Sequence, residues 1–398
     1  MKTIYGLIQA ALAFWRKLVL AFLSIHFQRS KADPCLFFKW TNQGLVIWIS
    51  FIDDMCGTGQ KESLIQSKIE LMKIFDCDEI GSIKEYVGCK VDYDPKKGKM
   101  KLTQPVLIQS LRDEFDLPED IIVSTPAVPG TVLSKDVLDT TFEEQRNYHK
   151  GIGKLLHLLR WSRPKIQNSV RDLSRHMANA SQKHIEAMKR VMVYLVQTTN
   201  RGILLQPTET WDGDPNFNFT ISGRADSDYA KDTDTRRSIS GYSTFLCGAP
   251  ITEKSVTQKS VTLSVTEAET VAAVSCAQDM LFQMRILETL GLKVKKPMIL
   301  EIDNKGAKDL ANNWSVGGRT RRMDVRDYFL RDLKEDGIIT VQWIPTNDNS
   351  SDLFTKNLAG PLFEKHTAVY CGHDEYMQYL ETSRGEGVRR STNRSLQD

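Results

Sequence analysis

Apolar positions in the first part of the chain change period several times. Residues 44–52 (GLVIWISFI) are apolar and β-branched almost without interruption, which predicts a buried strand, and Asp53 and Asp54 follow at once. Gly57 and Gly59 come next, so the pattern predicts a hairpin tip at 53–54. Ile65, Ile69 and Met72 then recur at helical spacing within 61–75. Val87, Cys89, Val91 and Tyr93 alternate as a strand, and DPKKGK turns the chain. Thr103 reads as the N-cap of a helix with Pro105 in its first turn and Ile108, Leu111 and Phe115 along one face. Residues 118–141, rich in Pro, Ser, Thr and Asp, predict a linker or extended crossing segment. Three amphipathic helices follow, marked by Ile152/Leu155/Leu156/Leu159, Ile166/Val170/Leu173/Met177 and Ile185/Met188/Met192/Leu195. Such faces are core and carry no assigned chemistry.

From about residue 215 the pattern becomes mixed α/β. In FNFTISGRAD, Phe217, Phe219 and Ile221 alternate with Thr220, Ser222, Arg224 and Asp226. SISGYSTFLC predicts a second strand and Val261–Val265 a short third. A long helix is predicted over 267–290, a fourth strand at MILEID, helices over 304–313 and 322–336, a fifth strand at ITVQWI and a short helix over 350–358. Residues from 382 onward have the composition of a disordered tail.

Net charge is only +3, but basic residues gather at Lys96–Lys101, Arg236–Arg237, Arg319–Arg322 and Arg389–Arg390. Local patches of this kind bear on nucleic-acid binding more than the total does. Seven cysteines without a C-x-x-C pair argue against a disulfide framework and against a cysteine zinc site. A reducing intracellular setting, cytoplasmic or nuclear rather than secreted, is the expectation. No apolar run reaches membrane-spanning length.

The second half places acids where strands end and helices begin. Asp226 and Asp303 close strands, Glu269 lies in the first turn of the long helix, and Asp352 opens the last short one. Reactive groups of open sheets gather at such positions. Converging carboxylates require cations, and two Mg²⁺ ions about 3.5–4 Å apart serve phosphodiester chemistry, one activating water and one stabilising the leaving oxygen. Oxygen-only ligands favour Mg²⁺ or Mn²⁺ over zinc. Each acid also has a plain structural reading. Thr266-x-x-Glu269 forms a capping-box pattern, Asp303-Asn304 and Asp352 suit helix caps, and Asp226 and Asp228 suit an exposed strand end. Only their joint arrangement favours a metal site.

These residues also carry a family resemblance. ADSDYAKDTDTRRSISGYSTFL, LSVTEAETVAA, EIDNKGAKDLANN, RTRRMDVRDYFLRDLKEDG and SSDLFTKNL resemble the ribonuclease H domain of copia-type retrotransposon Pol polyproteins. KTIYGLIQAALAFWRKL, RSKADPCLF and FIDDMCGTG resemble that family's reverse-transcriptase palm, and the segment from VSTPAVPGTVLSKD through VMVYL resembles the part joining the two enzymes. The likeness spans roughly 1–365 in the family's order. It implies an α+β and α/β chain: a partial reverse-transcriptase palm with a hairpin and thumb-like helices, then a ribonuclease H-like mixed five-stranded sheet with flanking helices. The implied domains are 1–122 (truncated palm/thumb), 123–214 (helical thumb/connection), 215–365 (ribonuclease H-like) and 366–398 (C-terminal helix and tail).

The implied function is metal-dependent cleavage of RNA in RNA–DNA hybrids. Asp226, Glu269, Asp303 and Asp352 would be catalytic and would hold two Mg²⁺ (or Mn²⁺) ions. Glu267 competes with Glu269, which is preferred because AETVA places small residues beneath the site. Asp53 and Asp54 would be the paired metal-binding aspartates of the polymerase site, with Tyr5-Gly6 and Gln9 near template and nucleotide. Arg236, Arg237, Arg319, Arg321 and Arg322 would contact phosphates. The family's third polymerase aspartate precedes the KTIYGL stretch, so the polymerase half is expected to be inactive. Ile8, Ala11, Phe51, Glu253 and Arg321-Arg322 also depart from the family's usual Lys, Pro, Tyr, Trp and Lys-His. The alternative is a catalytically dead nucleic-acid-binding remnant. Implied partners are nucleic acid, an RNA–DNA hybrid in particular, and remaining Pol polyprotein segments, with no membrane.

Overall fold

A computed structural model of the chain describes residues 8–312 and 325–372. Two compact units are present. The first takes in the chain up to Gly88 together with Thr210–Phe219 and Leu281–Lys295; the second takes in Cys89–Glu209, Thr220–Met280 and the chain from Lys296 onward.

In the first unit, the helix Ile8–Ser24 and the four-stranded antiparallel sheet of Gln28–Arg29, Leu36–Thr41, Gly44–Phe51 and Asp54–Gly59 share a core. Phe22 stacks on Phe37 with centroids 4.1 Å apart, beside Leu18, Val46 and Trp48. The apolar run 44–52 is not buried on both faces. Val46, Trp48 and Ser50 point inward while Ile49 and Phe51 are exposed, because the helices cover one side of the sheet only. Phe51 pairs with Asp54, so the hairpin turns at Ile52–Asp53, one residue earlier than the pattern predicts. Ile52 takes φ 55°, a left-handed conformation that β-branched residues rarely adopt. The strand predicted from Phe217 through Asp226 is split in two: Phe217 lies outside both parts, and a two-residue strand, Asn218–Phe219, pairs in parallel with Lys293–Val294.

In the second unit, the helix Pro105–Glu114 has Gln104 as its N-cap residue, and Thr103 closes the strand Lys99–Thr103 instead. The Gln104 side chain is taken by His157 and Ser162. The helices Phe142–Trp161, Gln167–Ser174 and Gln182–Gln197 bury most of the predicted faces together with residues of the last described helix, Gly360–Cys371, while Leu156 is exposed and Ile166 and Met177 flank the middle helix. Thr141 and Glu144 cap the first of these reciprocally. Residues 118–141 form no helix or strand. They are fastened by hydrogen bonds such as Val123 N–H to Gln197 (3.1 Å), Leu133 N–H to Asp172 (3.0 Å) and Thr140 Oγ1 to the Ala180 carbonyl (2.7 Å).

The second unit also holds a mixed five-stranded sheet. Its order is Ala249–Thr257, Ile239–Leu246, Ile221–Asp228, Met298–Ile302, Ile339–Trp343. The first three strands are antiparallel, and the last two run parallel to the central one. The third strand in chain order is thus Ala249–Thr257 and not 261–265. Ser264 instead accepts from the Glu267 amide at the start of the long helix Val265–Thr289. Gly223 is required where that helix crosses the sheet, since a Cβ there would lie 2.5 Å from Cys276 Sγ and 2.8 Å from Met280 Sδ.

Two buried histidines make this unit sensitive to acid. His176 and His184 stack with centroids 4.1 Å apart. The Ser181 amide donates to His184 Nδ1 (2.9 Å), so Nε2 carries the proton and donates to the Ser134 carbonyl (3.1 Å). Burial holds both imidazoles below their usual pKa; the charge of His184 and then of Arg175 adds to this at His176, while the Ser134 carbonyl and then Asp136 oppose it at His184. At these two groups the unfolded chain binds more protons than the folded one just below pH 6.5, so their contribution to stability is full above that pH and is lost as pH drops through it. The contribution is read by difference: on going from pH 7.5 to 5.5 the urea midpoint of His176→Phe is expected to move in the acid-stable direction relative to the parent, and an identical pH response in parent and variant contradicts this source.

Candidate metal centre

The sheet register brings the first two acids together. Ala225 pairs in parallel with Ile302, so the residues that follow each, Asp226 and Asp303, stand side by side at the carboxyl ends of neighbouring strands. Asn304 Oδ1 accepts the Ala307 amide (2.9 Å) and so caps the helix Lys305–Asn312, a role that Asp303 therefore does not fill.

Asp352 is delivered from above the sheet by the short 3-10 helix Ser350–Phe354. Asn349 is its cap, accepting from the Ser351 amide. The turn is pinned to the central strand: Asn349 Nδ2 donates to the Ala225 carbonyl (2.9 Å), Ser351 Oγ to the Arg224 carbonyl (2.9 Å) and Arg224 Nη1 to Ser350 Oγ (3.2 Å). Gly241, paired with Asp226, makes room for it; a Cβ there would meet Thr355 Cγ2 at 2.6 Å and Phe354 Cβ at 2.9 Å. Asp226, Asp303 and Asp352 each present a carboxylate oxygen, and these atoms lie within 4.8 Å of one another. Among the described residues this is the one group of three or more acids, histidines or cysteines so placed.

Glu269 comes from the long helix on the opposite face of the sheet. The capping role falls to Ser264 and Glu267, whose carboxylate accepts the Leu263 amide (2.7 Å), so neither Thr266 nor Glu269 is the cap. Glu269 is 4 % exposed and its Oε2 has no hydrogen-bond partner. Asp226 and Asp352 are 1 % and 2 % exposed. Carboxylates buried to this degree demand a cation or a proton.

One cation is supplied by the protein. Lys356 Nζ lies 3.1 Å from Asp226 Oδ1 and 2.8 Å from Asp352 Oδ1. Thr355 Oγ1 donates to Asp226 Oδ2. Burial, with Asp352 and Glu269 nearby, still pushes Asp226 well above the usual carboxylate range, though Lys356 opposes it. Asp352 is raised by burial and by Asp303. Burial and then Asp303 push Glu269 up to about 8 against the pull of Ser227 and Lys356. Burial alone would lower the Lys356 ammonium's pKa, but Asp226 and Asp352 more than reverse that. One lysine therefore does not compensate these buried carboxyls, which take up protons unless a further cation is present. Hard oxygen donors and an orphaned buried carboxylate oxygen fit a Mg²⁺- or Mn²⁺-type ion. Sequence reasoning missed Lys356 and Thr355; the available signal was the four-residue spacing from Asp352 to Lys356.

The remaining predicted residues lie elsewhere. Asp53 and Asp54 are exposed at the hairpin turn of the first unit, and Gln9 is exposed on the helix Ile8–Ser24. Arg236 and Arg237 are exposed on the loop after the Asp228–Ile239 pair, two residues beyond Asp226 along the central strand. Arg319, Arg321 and Arg322 lie outside the described residues, as do Tyr5 and Gly6. Among the described residues no helix is long and apolar enough to cross a membrane.

Residues 1–129 match the family model described as reverse transcriptase (RNA-dependent DNA polymerase). The chain is 32 % identical over 370 residues to the retrovirus-related Pol polyprotein from transposon TNT 1-94 of Nicotiana tabacum, a match covering 91 % of this chain and 27 % of that protein. It is 28 % and 27 % identical to the Pol polyproteins from transposons RE1 and RE2 of Arabidopsis thaliana, each over 91 % of this chain and 24 % of the relative. The chain thus spans about a quarter of the length of these curated relatives. With the likeness running through nearly all of its residues, the chain belongs to the family of retrovirus-related Pol polyproteins of copia-type transposons.

Proposed function

We propose that residues 215–365 are a ribonuclease H-like domain that hydrolyses the RNA strand of an RNA–DNA hybrid, with Asp226, Glu269, Asp303 and Asp352 as its metal-holding acids. The observation that carries this reading is the convergence of three carboxylates within 4.8 Å at the carboxyl ends of two parallel strands, beside the unpartnered Oε2 of Glu269. A pair of Mg²⁺ ions held there would supply an activated water and stabilise the leaving oxygen. Asp226 and Asp303 are rigidly set by the sheet and would orient that centre. Glu269 approaches from one face and Asp352 from the other, which would fix the line of attack on the phosphodiester. Arg236 and Arg237, on the loop just past Asp226, would bind phosphates and make affinity salt-dependent. An A-like hybrid would be read through its backbone shape and 2′-hydroxyls.

The segment 1–122 is read as reverse-transcriptase palm and thumb, and 123–214 as thumb and connection. Asp53 and Asp54 are exposed at a hairpin turn, and we assign this half a nucleic-acid-positioning role. A second reading, a binding remnant without catalysis, draws on Lys356, which already neutralises part of the acidic cluster.

The two readings separate in one assay. A hybrid labelled on its RNA strand is expected to be cut by the purified chain with Mg²⁺ or Mn²⁺ and left intact with EDTA, while a DNA duplex stays intact in both. Binding without cutting in either metal favours the remnant.

A further inference from the structure

Lys356 is more than a neighbour of the acidic cluster. Its ammonium is within hydrogen-bond distance of an oxygen of Asp226 and an oxygen of Asp352, two of the three carboxylates that converge. It sits four residues after Asp352 on the same short segment, where its own amide donates to the Asp352 carbonyl (3.0 Å). Whatever brings Asp352 to the sheet therefore brings the ammonium with it. A divalent ion on those same oxygens would lie beside a like charge, and repulsion at such separations is strong beside groups as buried as Asp226 and Asp352. The side chain is not locked in place. It is 32 % exposed, and its flexible stem gives the ammonium a route outward.

We propose that Lys356 is a tethered counter-cation that competes with the divalent metal for Asp226 and Asp352, so that metal loading requires its displacement. The inference rests on the nuclease reading above and assigns a regulating residue to the same site. Without metal, the ammonium keeps buried carboxylates from repelling one another and holds the cage assembled. With metal, it leaves the two oxygens and stands at the rim, within reach of a substrate phosphate. The unpartnered Glu269 Oε2 marks the side of the cage that the lysine does not serve.

The test is calorimetric Mg²⁺ and Mn²⁺ titration of the full chain, beside melting temperatures with and without metal. Lys356→Met removes the charge at similar length. Lys356→Gln removes it but keeps an amide donor, in case the methionine variant fails to fold. Both are expected to bind metal about ten-fold or more tightly than the parent, since charge-assisted contacts no longer have to be broken. Both are also expected to melt lower without metal and to gain more on adding it. A purely structural lysine gives the opposite result, with weaker or equal metal affinity in the variants, and that overturns the inference while leaving the metal centre standing. Absence of metal binding in parent and variants alike overturns the metal centre itself and the inference with it.

Discussion

Asp303→Asn is expected to lower hybrid cleavage about a thousand-fold or more at saturating Mg²⁺, because it removes a carboxylate from the centre that would offset several kcal/mol of transition-state charge. The fold has little reason to respond. Asparagine matches aspartate in size, Asp303 is only half-buried, and Trp343 Nε1 donates to its backbone carbonyl (3.0 Å), which the substitution leaves in place. The helix cap belongs to Asn304 and is untouched. A melting temperature within a degree or two of the parent, together with lost cleavage, is the expected pair of results. Equal cutting by parent and variant removes Asp303 from the site.

The largest expected effect on stability lies away from the acids. Arg201 Nη1 donates to both oxygens of Glu364 at 2.8 Å, and Glu364, in the helix Gly360–Cys371, is 3 % exposed. Arg201→Met strands a carboxylate among Tyr194, Phe363 and their neighbours, and removal of one partner of a buried pair typically costs about 3–5 kcal/mol. Urea unfolding measures this directly. Arg201→Met with Glu364→Gln should recover part of the loss, because no uncompensated charge then remains. A single variant within about 0.5 kcal/mol of the parent, the range of ordinary surface substitutions, would show that the pair contributes little.

Much of this architecture was legible in the pattern of residues. The helices over 142–197 announced themselves by apolar faces, and the central strand by its alternation through Asp226. The edge strand Ala249–Thr257 did not, because APITEKSVT mixes charged and apolar residues on a strand with one solvated face, with Ile251 and Val256 exposed. Val261–Val265 alternates as a strand would, yet Ser264 and Glu267 turn it into a helix start; local capping outweighs a two-residue period over so short a run. The strand Leu36–Thr41 carries no two-residue alternation to read, since Leu36, Phe37 and Phe38 are buried in succession.

The acidic site was half legible for a related reason. Types of residue at strand ends and helix starts can be read from spacing, and the family likeness orders them. Their meeting depends on register, above all Ala225 opposite Ile302, which no single strand encodes. Capping is likewise set by neighbours: Ser264 with Glu267, Asn304 and Asn349 take the caps that the pattern offers equally to Thr266, Asp303 and Asp352. Lys356 escaped because an Asp–Lys pair four residues apart ordinarily decorates a helix surface. Here the same spacing points inward, since the short helix lies against the sheet and buries Asp352.

The most direct measurement is a crystal soaked in Mn²⁺, with anomalous density sought at the end of the sheet. Peaks bounded by oxygens of Asp226, Asp303 and Asp352, absent in an Asp303→Asn crystal, are the predicted result. A soaked crystal without a peak there, or with these three carboxylates turned away from one another, would contradict it.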